Sequence, residues 1–258
     1  MIDSNVEIRR LAALMHCNKE DLNYLLPLSG EGIMRLRMQF QDSLIDDFAP
    51  ALSKLAATAS ITPTAISEKI CVRYLGPTLT GYLAYFTSIK SATKLAKRLD
   101  ADFLIELSKE LVPERVKDLL ANFPPDLMRP VTQGLVEDCA WETMGGFVDY
   151  LPPESSLALI EDVPDPIACL WISSFAQNKE LIAEVVSEFS DEMLIGLVSG
   201  SLTRPELMRE ICVIAEHLPE ESLEQISRIK PLLSAGKQKK LRSFAEQNGF
   251  DALAAQYA

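Results

Sequence analysis

Lysine and arginine are missing altogether between Arg129 and Lys179, while Glu137, Asp138, Glu142, Asp149, Glu154, Glu161, Asp162 and Asp165 all fall in that gap. A phosphate backbone would be repelled there, so nucleic acid is excluded as a ligand of this stretch. Histidine is nearly absent. His16 and His217 are the only two, and neither has a partner at metal-binding spacing. The five cysteines are odd in number, far apart and set among apolar residues, which predicts reduced, buried thiols rather than a disulfide framework. His16 beside Cys17 does not make an activated thiolate, because adjacent helical residues point about 100° apart. Phosphate-cradling glycine loops and a Gly-x-Ser-x-Gly elbow are lacking, and Gly145-Gly146 is too short to replace them. No apolar run approaches the roughly 18 residues of a membrane span, and the first residues, with Asp3, Glu7, Arg9 and Arg10, lack the layout of a signal peptide. These absences predict a cytoplasmic protein that is not an enzyme and needs no cofactor.

What is present is a soluble-globular composition, 48% hydrophobic and 24% charged, with a net charge of −12. The charge is uneven. Residues 1–100 are slightly basic and residues 231–258 likewise, so the deficit lies entirely in 101–230. Its plain explanation is a solvated acidic face plus carboxylates at helix starts. The functional alternative is a patch for a partner protein with a basic surface, with Glu137, Asp138, Glu142, Asp149, Glu161, Asp162 and Asp165 as the candidate protein-binding residues. A second alternative is loose binding of divalent cations, although the sequence singles out no metal ligand.

From about Ile61 onward one phrase recurs every twelve to sixteen residues or so: an apolar residue, then Pro, Ser, Thr or Asp, then an acid. It reads Leu111-Val-Pro-Glu114, Phe123-Pro-Pro-Asp126, Leu151-Pro-Pro-Glu154, Phe189-Ser-Asp-Glu192 and Leu218-Pro-Glu-Glu221, with looser copies at Leu99–Asp102, Leu135–Asp138 and Val163–Pro166. Proline suits a first helical turn, where its missing N–H would go unpaired, and Ser, Asp or Glu complements the exposed amides. Each phrase therefore predicts the start of a short helix. Helices of two or three turns are unstable alone and must stack, so the predicted fold is all-α, an α-solenoid or right-handed superhelix of short antiparallel helices. Strands have no competing signal: Asn248-Gly249 is the one hairpin-like pair, and it suits a helix C-cap.

Three regions are expected: 1–60, amphipathic helices packed on the array; 61–230, the array; and 231–258, a basic capping helix with Lys237, Lys239, Lys240 and Arg242. Ile33, Leu36, Phe40, Leu44, Phe48, Leu52 and Leu55 form one helical stripe, which Pro50 should kink or split, with Arg35, Arg37 and Asp42 on other faces. Burial of that stripe within the chain is expected, and pairing with a second copy, giving a homodimer, is the alternative. Lys90, Lys94, Lys97 and Arg98 are read as a solvated helix face rather than a phosphate site. Trp141 and Trp171 are expected in equivalent core positions.

The run Leu111-Val-Pro-Glu-Arg-Val-Lys-Asp-Leu-Leu-Ala-Asn-Phe123 resembles the superhelical N domain of MgtE-type magnesium transporters, and is similar to the stacked helices of flagellar motor-switch proteins. Glu142-Thr-Met-Gly-Gly-Phe-Val-Asp-Tyr-Leu-Pro-Pro-Glu154 further resembles uncharacterised bacterial helical-repeat proteins. The likeness covers residues 61–230 and implies fold more than role. With no membrane-spanning part it does not imply transport, but it does imply magnesium sensing by the acidic middle of the chain, with no individual ligand assigned. The expectation drawn from all this is a non-catalytic protein-interaction scaffold or adaptor, with a divalent-cation sensing regulatory module as the alternative.

Overall fold

The computed structural model describes residues 2–163, 165–219, 221–222 and 228–256, and among these every regular element is helical. The chain divides into two compact units, Met1–Pro152 and Pro153–Ala258, at a proline pair inside one of the helix-start phrases. No helix of the described residues is long and apolar enough to cross a membrane.

The first unit contains α1 (Ser4–Leu14), a 3-10 helix (Lys19–Leu25), α2 (Gly30–Asp46), α3 (Ala49–Ile61), α4 (Thr64–Ile70), a π-helical turn (Cys71–Leu75), α5 (Gly76–Ala84) and α6 (Ile89–Ala96). It continues with α7 (Ala101–Lys109), a 3-10 turn (Pro113–Arg115), α8 (Lys117–Leu120), α9 (Pro125–Glu137) and α10 (Trp141–Val148). The second contains α11 (Pro153–Ile160), α12 (Pro166–Phe175), α13 (Lys179–Ser187), α14 (Asp191–Ser201), α15 (Pro205–His217), a 3-10 turn (Lys230–Leu232), α16 (Ala235–Asn248) and α17 (Asp251–Gln256).

The starts of these helices follow local chemistry. Asp100 accepts from Phe103 N–H at 2.7 Å, Asp165 from Ile167 N–H at 2.9 Å, and Ser190 from Met193 N–H at 3.3 Å. Proline occupies the first turn of α3, α5, α9, α12 and α15. Pro50 splits the long stripe as expected: α2 stops at Asp46 and α3 restarts at Ala49. Gly249, at φ 75°, ends α16 in the left-handed conformation. The phrase Leu135–Asp138 behaves differently. It closes α9 instead of opening a helix, because its carboxylates have no proline or capping hydroxyl before them and α9's own bonds run to Glu137. Pro164 and Glu220, in the phrases Val163–Pro166 and Leu218–Glu221, lie outside the described residues, as does the side chain of Leu44.

Within each unit a helix packs on the one two places along. In the first, α3 meets α5, α5 meets α7 and α7 meets α9; in the second, α11 meets α13, α13 meets α15 and α12 meets α14. Alternate helices therefore form layers, the stacking of a helical solenoid. Two glycines let prolines from helix starts approach closely. A Cβ on Gly146 would stand 2.8 Å from the Pro113 ring, and one on Gly196 would stand 2.5 Å from the Pro166 ring. In the second unit Leu170, Leu197, Leu207, Ile214 and Leu241 are fully buried. The four cations of α16 are exposed, and Lys240 donates to the carbonyl of Leu202 at the C-terminus of α14, at 2.8 Å.

The stripe on α2 is only partly inside. Ile33 is buried, but Leu36 and Phe40 are exposed, as is Phe48 beyond the helix end; off the stripe, Ile45 is buried, and Arg37, expected on an outer face, is 3% exposed. The reason lies in what Arg37 meets.

Candidate functional site: a polar cleft in the first unit

Glu7 and Arg10 lie three residues apart on α1, amid the apolar Val6, Ile8 and Leu11, so their side chains are carried inward with the apolar face. Glu7 is fully buried. Arg37 of α2 donates from Nε to Glu7 Oε2 at 2.8 Å, from Nη2 to Glu114 Oε1 at 2.6 Å and from Nη1 to Gln41 Oε1 at 3.2 Å. Arg10 lies 3.5 Å from Glu7 and donates to Asp149 Oδ2 at 2.5 Å. Five charged groups thus form one buried chain, from Asp149 through Arg10, Glu7 and Arg37 to Glu114. Its members come from α1, α2, the Pro113–Arg115 turn and the end of α10, so the chain joins the first two helices to the far end of the unit. The same turn holds α2 a second time, because Arg115 pairs with Asp42 and lies over the Tyr85 ring, 5.5 Å from its centroid.

The electrostatics follow from these contacts. Burial favours a neutral Glu114, but the charge and hydrogen bond of Arg37, with Arg10 beside it, outweigh burial and hold its carboxyl below the usual range. Burial alone would make Arg37 easier to deprotonate, and the two glutamates reverse that. Tyr150 is pushed up to about 12 by burial, with Glu114 and Asp149 adding to the shift. Within the cluster three carboxylates face two guanidiniums.

Above it opens a cleft of about 510 Å³. Arg10, Arg37 and Glu114 line it, together with Lys109, Glu110, Asp138 and Glu142. Lys109 bridges Asp138 at 2.8 Å and Glu106 at 2.6 Å. Counting the two acids bonded behind the lining, six carboxylates (Glu7, Glu110, Glu114, Asp138, Glu142, Asp149) surround three cations (Arg10, Arg37, Lys109). His16 and Cys139, the two non-glycine residues with positive φ among those described, also line it, at 51° and 53°. They have the same structural cause. Each follows a helix end, α1 or α9, and each ending is closed by the same pair of bonds, Cys17 N–H to Ala12 C=O and Ala140 N–H to Leu135 C=O being the longer-range member.

The seven acids singled out from the sequence divide between the units. Asp138 and Glu142 stand exposed at the cleft, with Glu137 exposed beside them on α9. Asp149 turns inward to Arg10, its side chain largely buried. Glu161, Asp162 and Asp165 belong to the second unit, where Glu161 is exposed and Asp165 caps α12. Among the described residues no group of three or more His, Cys, Asp or Glu is disposed to hold a metal ion. Glu7, Arg10, Arg37 and Glu114 were missed in the sequence. The only available signal was charge placed within an apolar helical face. Trp141 and Trp171 are half-buried, and Arg204 stacks on Trp171 at 5.6 Å.

The second unit has its own buried charge pair. Lys179 donates to Glu210 Oε1 at 2.7 Å and to the Ser173 carbonyl at 2.7 Å, while the Ser173 hydroxyl donates to the same carboxylate.

No protein-family model, curated protein or solved structure matches the chain. The likeness to the transporter N domain rests on the repeat phrase.

Proposed function

We propose that the protein is a non-catalytic interaction scaffold whose first-unit cleft receives a basic segment of a partner protein. The observation that supports this reading is the excess of carboxylate charge around an open cleft whose floor is locked by ion pairs. A partner's Lys or Arg side chain would complete the charge balance there, with Asp138 and Glu142 as its first contacts. A preorganised floor also lowers the cost of binding, since Arg37 and Glu114 need not reorder. Glu137 extends the contact along α9. Glu161, Asp162 and Asp165 would form a separate acidic contact on the second unit, while Asp149 acts by positioning Arg10.

The test is charge reversal at exposed positions. Asp138→Lys with Glu142→Lys should weaken binding of a basic partner peptide by about tenfold or more, with salt doing the same to the wild type. Binding that survives both would remove the cleft as the contact.

A further inference from the structure

One part of this acidic protein has the opposite character. Between Phe48 and Leu99 there are seven basic residues and a single acid, Glu68. Glu68 is already held by Arg98 at 2.5 Å. The other six cations, Lys54, Lys69, Arg73, Lys90, Lys94 and Lys97, are exposed and have no ion-pair partner among the described residues. The same elements carry exposed apolar side chains: Ile61 is 84% exposed and Tyr74 79%, and Phe48, Ile66, Val72 and Leu79 are exposed with them. Beyond Ile89, Leu232 is the one large apolar side chain that is exposed among the described residues.

These elements enclose a groove of about 300 Å³ bounded by the end of α3, α4, the π-helical turn, α5 and α6. Its walls include Leu55, Ile61, Ile70, Leu75 and Leu95, with Lys94 at the charged side. Ser67 lines it as well. That residue is only 9% exposed, and its hydroxyl has no hydrogen-bond partner. The Ser67 oxygen is itself closed off from solvent, so it marks imperfect packing beneath the groove and not a contact for an occupant.

We propose that this groove is a docking site for an acidic, amphipathic segment of a partner protein. Its apolar side chains fill the groove beside Ile61, and its carboxylates meet the unpaired lysines. Two other occupants fit less well. A second copy placed face to face would set like charges together, and the copy's acidic stretch offers no large exposed apolar residues to match. An anionic bilayer would answer the charge, but a lipid surface receives protruding side chains and leaves the concave groove walled by Leu55, Ile70 and Leu75 unfilled. The site is separate from the acidic cleft and takes the opposite charge.

The experiment is selection of a displayed library of random short peptides on the full chain, with binding of the enriched peptides measured in solution. Sequences combining Asp or Glu with Leu, Ile or Phe should emerge, and Ile61→Glu should weaken them about tenfold or more. Lys94→Glu, at the charged side of the groove, should weaken them about threefold or more. Asp138→Lys with Glu142→Lys should leave this class bound, which separates its fate from that of the cleft. The proposal is overturned if no acidic class emerges or if its binding ignores Ile61→Glu. It is equally overturned if Ile61→Glu instead abolishes binding to phosphatidylserine vesicles, or self-association, with no peptide effect.

Discussion

Arg37→Met removes one charge from the centre of the buried chain and keeps most of the side-chain volume. Glu7, fully buried, loses its 2.8 Å partner, and Glu114 loses its 2.6 Å one. Breaking a buried pair by deleting one member costs about 3–5 kcal/mol, because the remaining charge is stranded away from water. At an m value of about 2 kcal/mol per molar urea, the unfolding midpoint of the first unit should fall by roughly 2 M. The two tryptophans make the assay specific: Trp141 lies in the first unit and Trp171 in the second, so fluorescence in a Trp171→Phe background follows Trp141 alone. The effect should also depend on pH. Glu114 has a lowered pKa in the wild type, so its contribution is complete above the ordinary carboxylate range and is lost as pH falls through its folded value. Without Arg37, burial pushes the same carboxyl upward, and it takes up a proton on mild acidification. The variant therefore loses less than the wild type, and the gap between them narrows from neutral pH towards about pH 4. The double variant Arg37→Met with Glu114→Gln should recover part of the loss, since the two residues share one interaction. A neutral-pH shift below roughly 0.5 M, or a gap that widens in acid, would mean that Arg37 does not hold Glu7 and Glu114 in a buried ion-pair chain.

Other outcomes follow from the same structure. In the second unit, Lys179→Met should cost about 3–5 kcal/mol by stranding Glu210, read from Trp171 in a Trp141→Phe background; an unchanged midpoint would mean that the pair is not buried as described. Gly196→Ala forces a Cβ against the rigid Pro166 ring and should cost about 1–3 kcal/mol in urea unfolding. His16→Gly should instead stabilise, by up to about 1 kcal/mol, because φ 51° strains any side chain with a Cβ. Alkylation at mildly alkaline pH should reach exposed Cys139 first by mass spectrometry; Cys169 and Cys212, pushed up to about 12 by burial and by Asp165 and Glu216 respectively, should react only after unfolding.

Helix starts were readable because their causes lie within four residues: a proline or hydroxyl, then an acid, acts on the amides beside it. Pro50 and Asn248-Gly249 were readable for the same reason. Leu135–Asp138 misled because acids alone do not make a cap, and here they end α9. Arg37 was not readable. Its burial depends on Glu7, thirty residues earlier, and on Glu114, which lies in a turn that the sequence marks only as a helix start. Asp149 belongs to the same class: it looked like surface charge, but Arg10 draws it inward across most of the unit. The basic and apolar face was legible in part, as the run of cations from Lys90 to Arg98. Its meaning depended on Ile61 and Tyr74 being left uncovered on the same stretch of chain.

The most direct measurement of the central claim is the affinity of basic peptides, selected on the wild-type chain, for the wild type and for the Asp138→Lys with Glu142→Lys variant at low and moderate salt. A Lys- or Arg-rich class should emerge, with an affinity that falls about tenfold on charge reversal and falls again with salt. Absence of such a class, or equal binding to both proteins at both salt concentrations, would contradict that claim.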